Sequence, residues 1–586
     1  MAVEMTVELT MARMKLSILR HAFRGQRAQT AGTGAVLGAL LAAGTVYLAI
    51  SGKPELLAAG YAVWLLGWML GPVFMGGGDE TVRPEYFALL GLPARRLATG
   101  LLAAAFVGVA PLVSLGALLG LLIAGVQRSF ISVVIAVPAM VLQLAVFVLL
   151  SKVSVALVGL ALRSRLGAIG AGLLNGLILA ALGQIWVFFA AFGQTGIPAA
   201  VWFLPSSWGL LAVRGDWWAL AALAALVILL LGVWAALLTK RTTRVSGRGR
   251  RPITATTARG AVVAKELRTW SRDLVRNHQL AFALAYGICF AASPLLIGWN
   301  GMLPYAGPIF VAMAAAMAAN LYGTDGTALW LTLMTPGASD VRGRQLAWLS
   351  VQAPIALVLT VGFTAITGGP WPLLIALLVA LLGGAAGLLP LLSVYALVPG
   401  TDPHRRAGNP LRTSEDDGGL TGLAYLMLAL VVVTAAPAAL VAIWFGWAGV
   451  PVGVLTGGLL YWGLGLLAER RLQSHGPELL ETMRTGRKPQ TSSSFKFDHL
   501  SKTQKAVVGW CLGLGALPLF PQGIVATVFV ANGTLRHTWF LATYMPAGLR
   551  YPVSITFILL GLAMYGTALW FTSKRPARSS YSSAAC

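Results

Sequence analysis

The sequence predicts an all-α, polytopic membrane protein, because its composition, its apolar runs and its charge distribution all favour that fold class. The chain has 586 residues, of which 57% are hydrophobic and only 11% charged, whereas ordinary soluble domains carry about a quarter charged residues. A helix needs about 20 apolar residues to cross a bilayer core about 30 Å thick. Such runs recur about fourteen times, near 32–50, 57–75, 98–124, 131–151, 167–192, 217–238, 279–298, 304–320, 345–367, 372–397, 419–444, 450–468, 507–530 and 552–572.

These runs group into two halves of six spans each, followed by a two-span tail. The predicted boundaries are 1–238 for the first half, 239–258 for a basic linker, 259–468 for the second half, 469–506 for a second linker and 507–586 for the tail. Asp79 follows the second span of the first half in "GGGDE", and Asp325 follows the second span of the second half in "NLYGTDG". The matching order of these features predicts an internal duplication.

Each half begins with a predicted amphipathic helix that lies on the inner membrane surface, over about 5–24 and 259–276. Its apolar residues recur at i, i+4, i+7 and i+11, and basic residues lie close to them. The apolar sets are Val7, Met11, Met14 and Ile18, then Val263, Leu267, Trp270 and Leu274. The basic residues are Arg13, Arg20 and Arg24 in the first helix and Lys265, Arg268 and Arg272 in the second.

The net charge of +24 is interpreted as membrane topology rather than as nucleic-acid binding. With a cytoplasmic N-terminus, the outer loops hold only Lys53, Arg128, Arg214, Arg536 and Arg550 of the 43 Lys and Arg residues. Basic residues concentrate on the cytoplasmic side of membrane proteins. The sequence therefore predicts a multi-pass protein of the plasma membrane with both termini in the cytoplasm.

The sequence lacks several common transport and catalytic signatures. No Asp or Glu falls near the middle of a predicted span, and all six histidines are predicted to lie in loops, so no proton path is indicated. The ATP-binding pattern GxxxxGK[ST] is absent. The three cysteines form no CxxC pair, which gives no support for a metal site. We predict no catalytic, metal-binding or cofactor-binding residues in this chain.

The polar insert at 76–100 is predicted to face the cytosol, where its mixed charges and its apolar strip suit docking to a soluble protein better than catalysis. Together with "NLYGTDGTALWLTLMTPGASDVRGRQLA" and the two basic amphipathic helices, it resembles the permease subunits of type-2 ATP-binding-cassette (ABC) exporters. More narrowly, the chain resembles the duplicated permeases of the actinobacterial tetronasin-resistance-like group. The resemblance covers roughly 5–485. Its more specific residues are Asn320, Gly323, Asp325, Gly326, Trp330, Pro336, Asp340, Arg342, Gly343 and Arg344.

This resemblance implies a permease without its own ATPase activity, beneath which two copies of a separate ATPase subunit bind ATP and Mg. The docking residues carried over to this chain are Asp79, Glu80, Arg83, Pro93, Arg95 and Arg96 in the first half, and Asp325, Trp330, Pro336, Asp340, Arg342 and Arg344 in the second. The two ATPase positions need not be equivalent, because the two loops differ in sequence.

The expected function is therefore export of a hydrophobic or amphipathic small molecule, an antibiotic or other drug. Gln143, Asn175 and Gln184 are the candidate polar residues of the substrate path. One alternative is a lipid or glycolipid exporter driven by the same kind of ATPase subunits. Another is a secondary drug transporter coupled to ions. A membrane-embedded transferase is a third alternative, but the predicted outer loops offer it only Glu55 and Asp216 as acids.

Overall fold

The computed structural model describes residues 6–22, 27–74, 94–161, 164–239, 254–335, 340–399, 419–485, 500–515, 517–531, 533 and 540–573. Within these ranges the chain is helical and contains no β-strand. The all-α fold class is therefore confirmed for the described part of the chain.

The described residues of the first half form ten α-helices. They are α1 (Thr6–Ala22), α2 (Arg27–Ile50), α3 (Pro54–Phe74), α4 (Ala94–Ala105), α5 (Val109–Val126), α6 (Phe130–Ala161), α7 (Arg165–Gly183), α8 (Ile185–Thr195), α9 (Trp208–Val213) and α10 (Trp217–Thr239).

In the second half and the tail, the part of the chain that the structure describes forms eleven more. They are α11 (Ala258–Arg272), α12 (Leu274–Ala292), α13 (Ala306–Met317), α14 (Leu329–Leu333), α15 (Asp340–Thr367), α16 (Trp371–Tyr395), α17 (Gly419–Phe445), α18 (Gly449–Thr485), α19 (Lys502–Leu514), α20 (Ala526–Ala531) and α21 (Ala547–Ser573). A 3₁₀ segment, Gly323–Ala328, leads into α14, and a π-helical segment, Pro518–Val525, precedes α20.

The described part of the chain has nine helical stretches that are long and apolar enough to cross a membrane, which supports a multi-pass membrane protein. One of the nine, Gly419–Thr485, is 67 residues long and contains both α17 and α18. Four shorter apolar helices come in addition. The count of fourteen spans stays a prediction.

Three predicted helices are interrupted in the structure. The run at 98–124 breaks between α4 and α5, next to the extended backbone of Gly108, and the run at 167–192 breaks at Gln184, between α7 and α8. The amphipathic helix predicted over 259–276 ends at Arg272, because Asp273 is extended and its side chain accepts a hydrogen bond from Val275 N at the start of α12. Apolar periodicity does not detect breaks of one to three residues.

The chain divides into two compact units. The first, Met1–Ile185 with Ala191–Leu479, contains both predicted halves except for 186–190, and the second consists of Trp186–Ala190 and Leu480–Cys586. In the first unit, a core of α12, α13, α15, α16 and α17 is packed mainly through alanine, leucine and phenylalanine. In the second, Phe540 packs against Trp186 and Phe529 with ring centroids 5.3 and 5.1 Å apart.

Helices α7 and α12 form the tightest contact between the two predicted halves, and we call it the α7–α12 seam. A Cβ atom at Gly176 would lie only 2.3 Å from the carbonyl oxygen of Phe282, so glycine is required there. Asn175 and His278 meet beside it, with Nδ2 and Nε2 3.2 Å apart. Small residues that let helix backbones approach closely are a common basis of helix association in membranes.

Candidate functional site at the predicted cytosolic end

Helix α11 lies where the sequence predicts an interfacial helix, and its ends are capped. The hydroxyl of Thr257 accepts a hydrogen bond from Gly260 N at 3.0 Å, which is a standard N-cap contact. Lys265 is exposed, whereas its neighbour Glu266 is 1% exposed. Glu266 is the only acidic residue of a helix rich in basic residues.

A buried cluster of charges joins α11 to the loop before α14 and to α15, and we call it the Arg344 cluster. The Arg344 side chain is fully buried and contacts three carboxylates: Glu266 with Nη1 and Oε1 3.2 Å apart, Asp340 with Nε and Oδ2 2.8 Å apart, and Asp325 through Nη2. The remaining members are Arg276, which donates to Glu266 Oε2 at 2.6 Å, and Lys265, which donates to Asp325 at 3.2 Å.

Tyr322 closes the Arg344 cluster on the side of α16. Its ring lies under the Arg344 guanidinium at 4.3 Å, and its hydroxyl donates to Asp340 at 2.8 Å. Its backbone N–H donates to the hydroxyl of Ser393 on α16 at 2.6 Å. The Arg344 cluster and Tyr322 thereby connect α11, the loop before α14, α15 and α16.

The charges inside the cluster stabilise one another. Burial alone would raise the pKa of the Glu266 carboxyl, but the opposing attraction of Arg344, Arg276 and Lys265 holds that pKa below its ordinary value. The pKa of Asp325 is lowered for the same reason, since Arg344 and Lys265 outweigh its burial. Burial and the neighbouring Asp340 raise the pKa of Tyr322 far above its usual range. At neutral pH the carboxylates of Glu266 and Asp325 are therefore ionised and Tyr322 keeps its proton.

A second set of contacts ties the start of α15 to α18. Arg342 donates to the carbonyl oxygens of Tyr461 and Trp462 at 3.0 and 2.9 Å, and its guanidinium lies 5.3 Å from the Tyr461 ring. Gln345 donates to Tyr461 O and to Ala386 O on α16. The first turns of α15 are thus bound on three sides, by α11, α16 and α18.

Two further residues of the resemblance have clear structural roles here. The side-chain amide of Asn320 donates to Val398 O at 2.8 Å and fastens the end of α13 to the end of α16. Gly343 allows α11 and α15 to touch, because a Cβ atom there would lie 2.6 Å from Val262. These residues build the packing around the loop and offer little surface to a partner.

The short helix α14 presents apolar side chains outward. Trp330, Leu331 and Met334 are 50%, 55% and 72% exposed, while Leu329 is buried beneath them. Leu333 of α14 lies against Gly476 in the last part of α18. We call Trp330, Leu331 and Met334 the α14 surface.

The corresponding contact in the first half is between α1 and α4. The Thr99 hydroxyl donates to Glu8 at 2.7 Å on an exposed surface, and Met11 is buried against Gly100. The hydroxyl of Thr99, followed by the helix backbone and the charge of Arg96, lowers the pKa of Glu8. This contact between α1 and α4 therefore combines an exposed hydrogen bond with a buried methionine.

The structure distributes the predicted docking and interfacial residues unequally. Arg344 and Asp340 are buried in the cluster, Asp325 is at its edge, and Trp330 is exposed. Arg13, Arg20, Lys265 and Arg272 are exposed, and Arg268 is half-buried. Outside the described residues or side chains lie Asp79, Glu80, Arg83, Pro93, Arg95, Arg24 and Pro336.

The three predicted substrate-path amides are buried in contacts between protein segments. Gln143 accepts from Gly209 N at 3.3 Å, and Gln184 donates to Phe290 O at 3.1 Å. Asn175 lies in the α7–α12 seam beside His278. In this conformation all three side chains serve helix packing.

The prediction that all six histidines lie in loops was wrong for His21, His278 and His475, which lie in α1, α12 and α18. Of these, His278 is in the second turn of α12 and is only 5% exposed. The predicted span began at residue 279, whereas α12 begins at Leu274, because Asp273 starts the helix earlier than the apolar run does. An ionisable side chain therefore does lie within a candidate membrane span.

Glu266, Arg276 and Tyr322 are cluster members that the sequence analysis did not select. The sequence did offer a signal for Glu266, because it is a single acidic residue in a basic helix. Such a residue, when buried, commonly pairs with a cation. No comparable signal distinguishes Arg276 or Tyr322, because their partners come from distant segments.

Comparison with known proteins found no matching family model, no matching curated protein and no matching solved structure. The resemblance to exporter permeases therefore rests on the residues of this chain, and the function derived from it is a proposal.

Proposed function

We propose that this chain is the permease subunit of an ATP-driven ABC exporter. Separate ATPase subunits would bind its cytosolic face and drive a hydrophobic or amphipathic small molecule, such as an antibiotic or other drug, out across the plasma membrane. The observation that carries this proposal is the Arg344 cluster, which joins an interfacial helix, a short loop helix with exposed apolar residues and three long apolar helices.

A permease without its own energy source must receive force from a partner through a rigid contact. A docking segment that moved freely would absorb the partner's motion without passing it on. The ion pairs of Arg344 and the contacts of Arg342 bind the start of α15 to its neighbours, so a push on α14 would reach α11, α16 and α18. This architecture supports mechanical coupling better than it supports catalysis.

The α14 surface has the chemistry expected for a protein partner. Exposed aromatic and methionine side chains are enriched in protein interfaces. Trp330 lies on α14, and Met334 directly follows its last residue. Its predicted cytosolic position is where an ATPase subunit would be found. A lipid or glycolipid exporter would use the same surface, so the nature of the transported molecule is a separate question.

The test is purification of the chain from its native host, with identification of the proteins that accompany it and an ATPase assay of the product. We expect a nucleotide-binding subunit at about two copies per chain and vanadate-sensitive ATP hydrolysis. Trp330→Asp combined with Met334→Asp should remove the subunit while leaving the elution profile of the chain unchanged. The control is Phe130→Asp, at an apolar position that is 81% exposed and lies in a predicted outer loop, and this variant should retain the subunit.

A chain that purifies alone and binds drugs only under a proton gradient would overturn the proposal in favour of a secondary transporter. Retention of the ATPase subunit by the Trp330 and Met334 double variant would leave the ABC function standing but remove the α14 surface as its docking site.

A further inference from the structure

The buried face of α15 carries hydrogen-bonding groups that the described protein atoms do not satisfy. Gln352 is 0% exposed, and neither its Nε2 nor its Oε1 has a hydrogen-bond partner. Trp348, one helical turn earlier, is 1% exposed, and its Nε1 also has no partner among the described residues. Two donors and one acceptor therefore lie unpaired within one turn of a candidate membrane span.

Leaving such groups unpaired is energetically expensive. Burying an amide without a hydrogen bond costs on the order of 2–7 kcal/mol, and in natural proteins nearly all buried polar side-chain atoms have a partner in protein or in ordered water. A glutamine that served only to fill space here would be less favourable than leucine. The unpaired amide therefore indicates that a further molecule lies beside it.

Helix α13 packs alongside this part of α15. Gly307 of α13 approaches Ala356 and Thr360 of α15, and Tyr322, just after α13, contacts Asp340 and Arg344. These two contacts set an antiparallel register in which Gln352 lies beside the middle of α13, and the sequence of α13 there, AGPIFVAMAAAM, contains no amide, hydroxyl or charged side chain. Helix α13 therefore has no strong side-chain hydrogen-bonding group to offer Gln352.

We propose that Trp348 and Gln352 bind ordered water inside the second half of the protein. A water molecule that accepts from Trp348 Nε1–H and donates to Gln352 Oε1 satisfies two of the three groups, and a second water at Gln352 Nε2–H satisfies the third. Water is the smallest ligand that both donates and accepts, and buried waters in proteins typically make about three hydrogen bonds. The site does not depend on what the chain transports.

This water site continues the Arg344 cluster into the apolar core. Arg344, Trp348 and Gln352 follow one another at intervals of four residues and so lie on one face of α15. The polar stripe therefore begins at the exposed Lys265–Asp325 pair and reaches two turns beyond Arg344. Gln143, which is equally buried, differs in part, because its Oε1 accepts from Gly209 N and only its Nε2 has no partner among the described residues.

The test is radiolytic hydroxyl-radical labelling of the purified, full-length chain in H₂¹⁸O, read by mass spectrometry. Radicals generated from a bound water oxidise the side chain beside it, even where bulk solvent does not reach. Trp348 should be oxidised several-fold faster than Trp234, a matched control that is 7% exposed and packed among leucines and valines. The oxygen added to Trp348 should be ¹⁸O.

The variant Gln352→Leu should reduce oxidation of Trp348 to the level of Trp234, while oxidation of Trp234 stays unchanged. Equal oxidation of Trp348 and Trp234 in the unmodified protein would overturn the proposal, and this comparison needs no variant to fold. Rapid oxidation of Trp348 that persists in a folded Gln352→Leu variant would also overturn it, because Gln352 would then not hold the water.

Discussion

Glu266 on α11 and Arg344 on α15 form an ion pair in which Oε1 and Nη1 lie 3.2 Å apart and both side chains are almost completely buried. Each residue has a second partner of its own, Arg276 for Glu266 and Asp340 for Arg344. Replacing a pair of buried charges by apolar residues is often tolerated, but removing only one partner leaves an uncompensated charge. The stability of the second half should therefore depend strongly on single substitutions in this cluster.

The first prediction concerns Arg344→Leu. Three carboxylates would lose their shared cation, so we expect a loss of about 3–5 kcal/mol of stability, measured as a lower melting temperature in detergent. Arg344→Lys should lie between the variant and the unmodified protein, since a lysine keeps the charge but cannot reach three carboxylates. Arg128→Leu, an exposed control at the predicted outer side, should melt like the unmodified chain. Equal melting of Arg344→Leu and Arg128→Leu would contradict the cluster.

The second prediction compares the exposed cation of the Arg344 cluster, Lys265, with the buried cation Arg276. The Lys265 side chain is 49% exposed, whereas that of Arg276 is 6% exposed. Exposed ion pairs contribute up to about 1 kcal/mol, so Lys265→Ala should shift the melting temperature only slightly. Arg276→Ala should lower it much more, because Glu266 would lose a buried partner. The reverse order of the two shifts would show that Glu266 does not depend on Arg276.

The third prediction is a pH dependence. The pKa values of Glu266 and Asp325 are lowered in the folded protein from ordinary values of 4.5 and 3.8. Their contribution to stability is therefore complete above those ordinary values and is lost as the pH falls through the lowered ones. Melting temperatures recorded from neutral to acidic pH should fall less steeply below about pH 4.5 for Glu266→Gln than for the unmodified chain. The exposed control Asp216→Asn should keep the full slope.

The fourth prediction concerns the α7–α12 seam. When the two halves are expressed as separate chains divided in the basic linker, we expect them to purify together. Gly176→Ala should weaken this association by about 1–3 kcal/mol, because its methyl group would collide with Phe282 O. Gly170→Ala is the matched control on the same helix, since a Cβ atom there meets nothing within 4 Å. Loss of association in both variants would point to a general effect on α7.

Sequence patterns were informative about elements and much less so about contacts. The apolar spacing of Val263 and Leu267 predicted a helix, and the structure has one at Ala258–Arg272. The same pattern continued to Leu274 and missed the end of α11, because a single extended residue, Asp273, does not disturb the spacing of its neighbours. Composition also predicted membrane helices, because the hydropathy of a segment is a local property of its own residues.

Burial of a charge is not a local property, and here the sequence was a poor guide. Arg342 and Arg344 were both assigned to docking on the resemblance. In the structure Arg344 is enclosed by three carboxylates, and Arg342 donates to backbone carbonyl groups of α18. Which cation is enclosed depends on how α11, α15 and α18 pack. In the same way, His278 resembled a loop residue until its position in the α7–α12 seam was known.

The Arg344 cluster contains three carboxylates, Glu266, Asp325 and Asp340, and three cations, Lys265, Arg276 and Arg344. The group is therefore electroneutral without any bound ion. A neutral group can lie at a bilayer surface without recruiting a counterion from the solvent or from anionic lipid headgroups. Helix α1, by contrast, carries Arg13, Lys15 and Arg20 against the single carboxylate of Glu8, so anionic lipids would concentrate around α1 rather than around the Arg344 cluster.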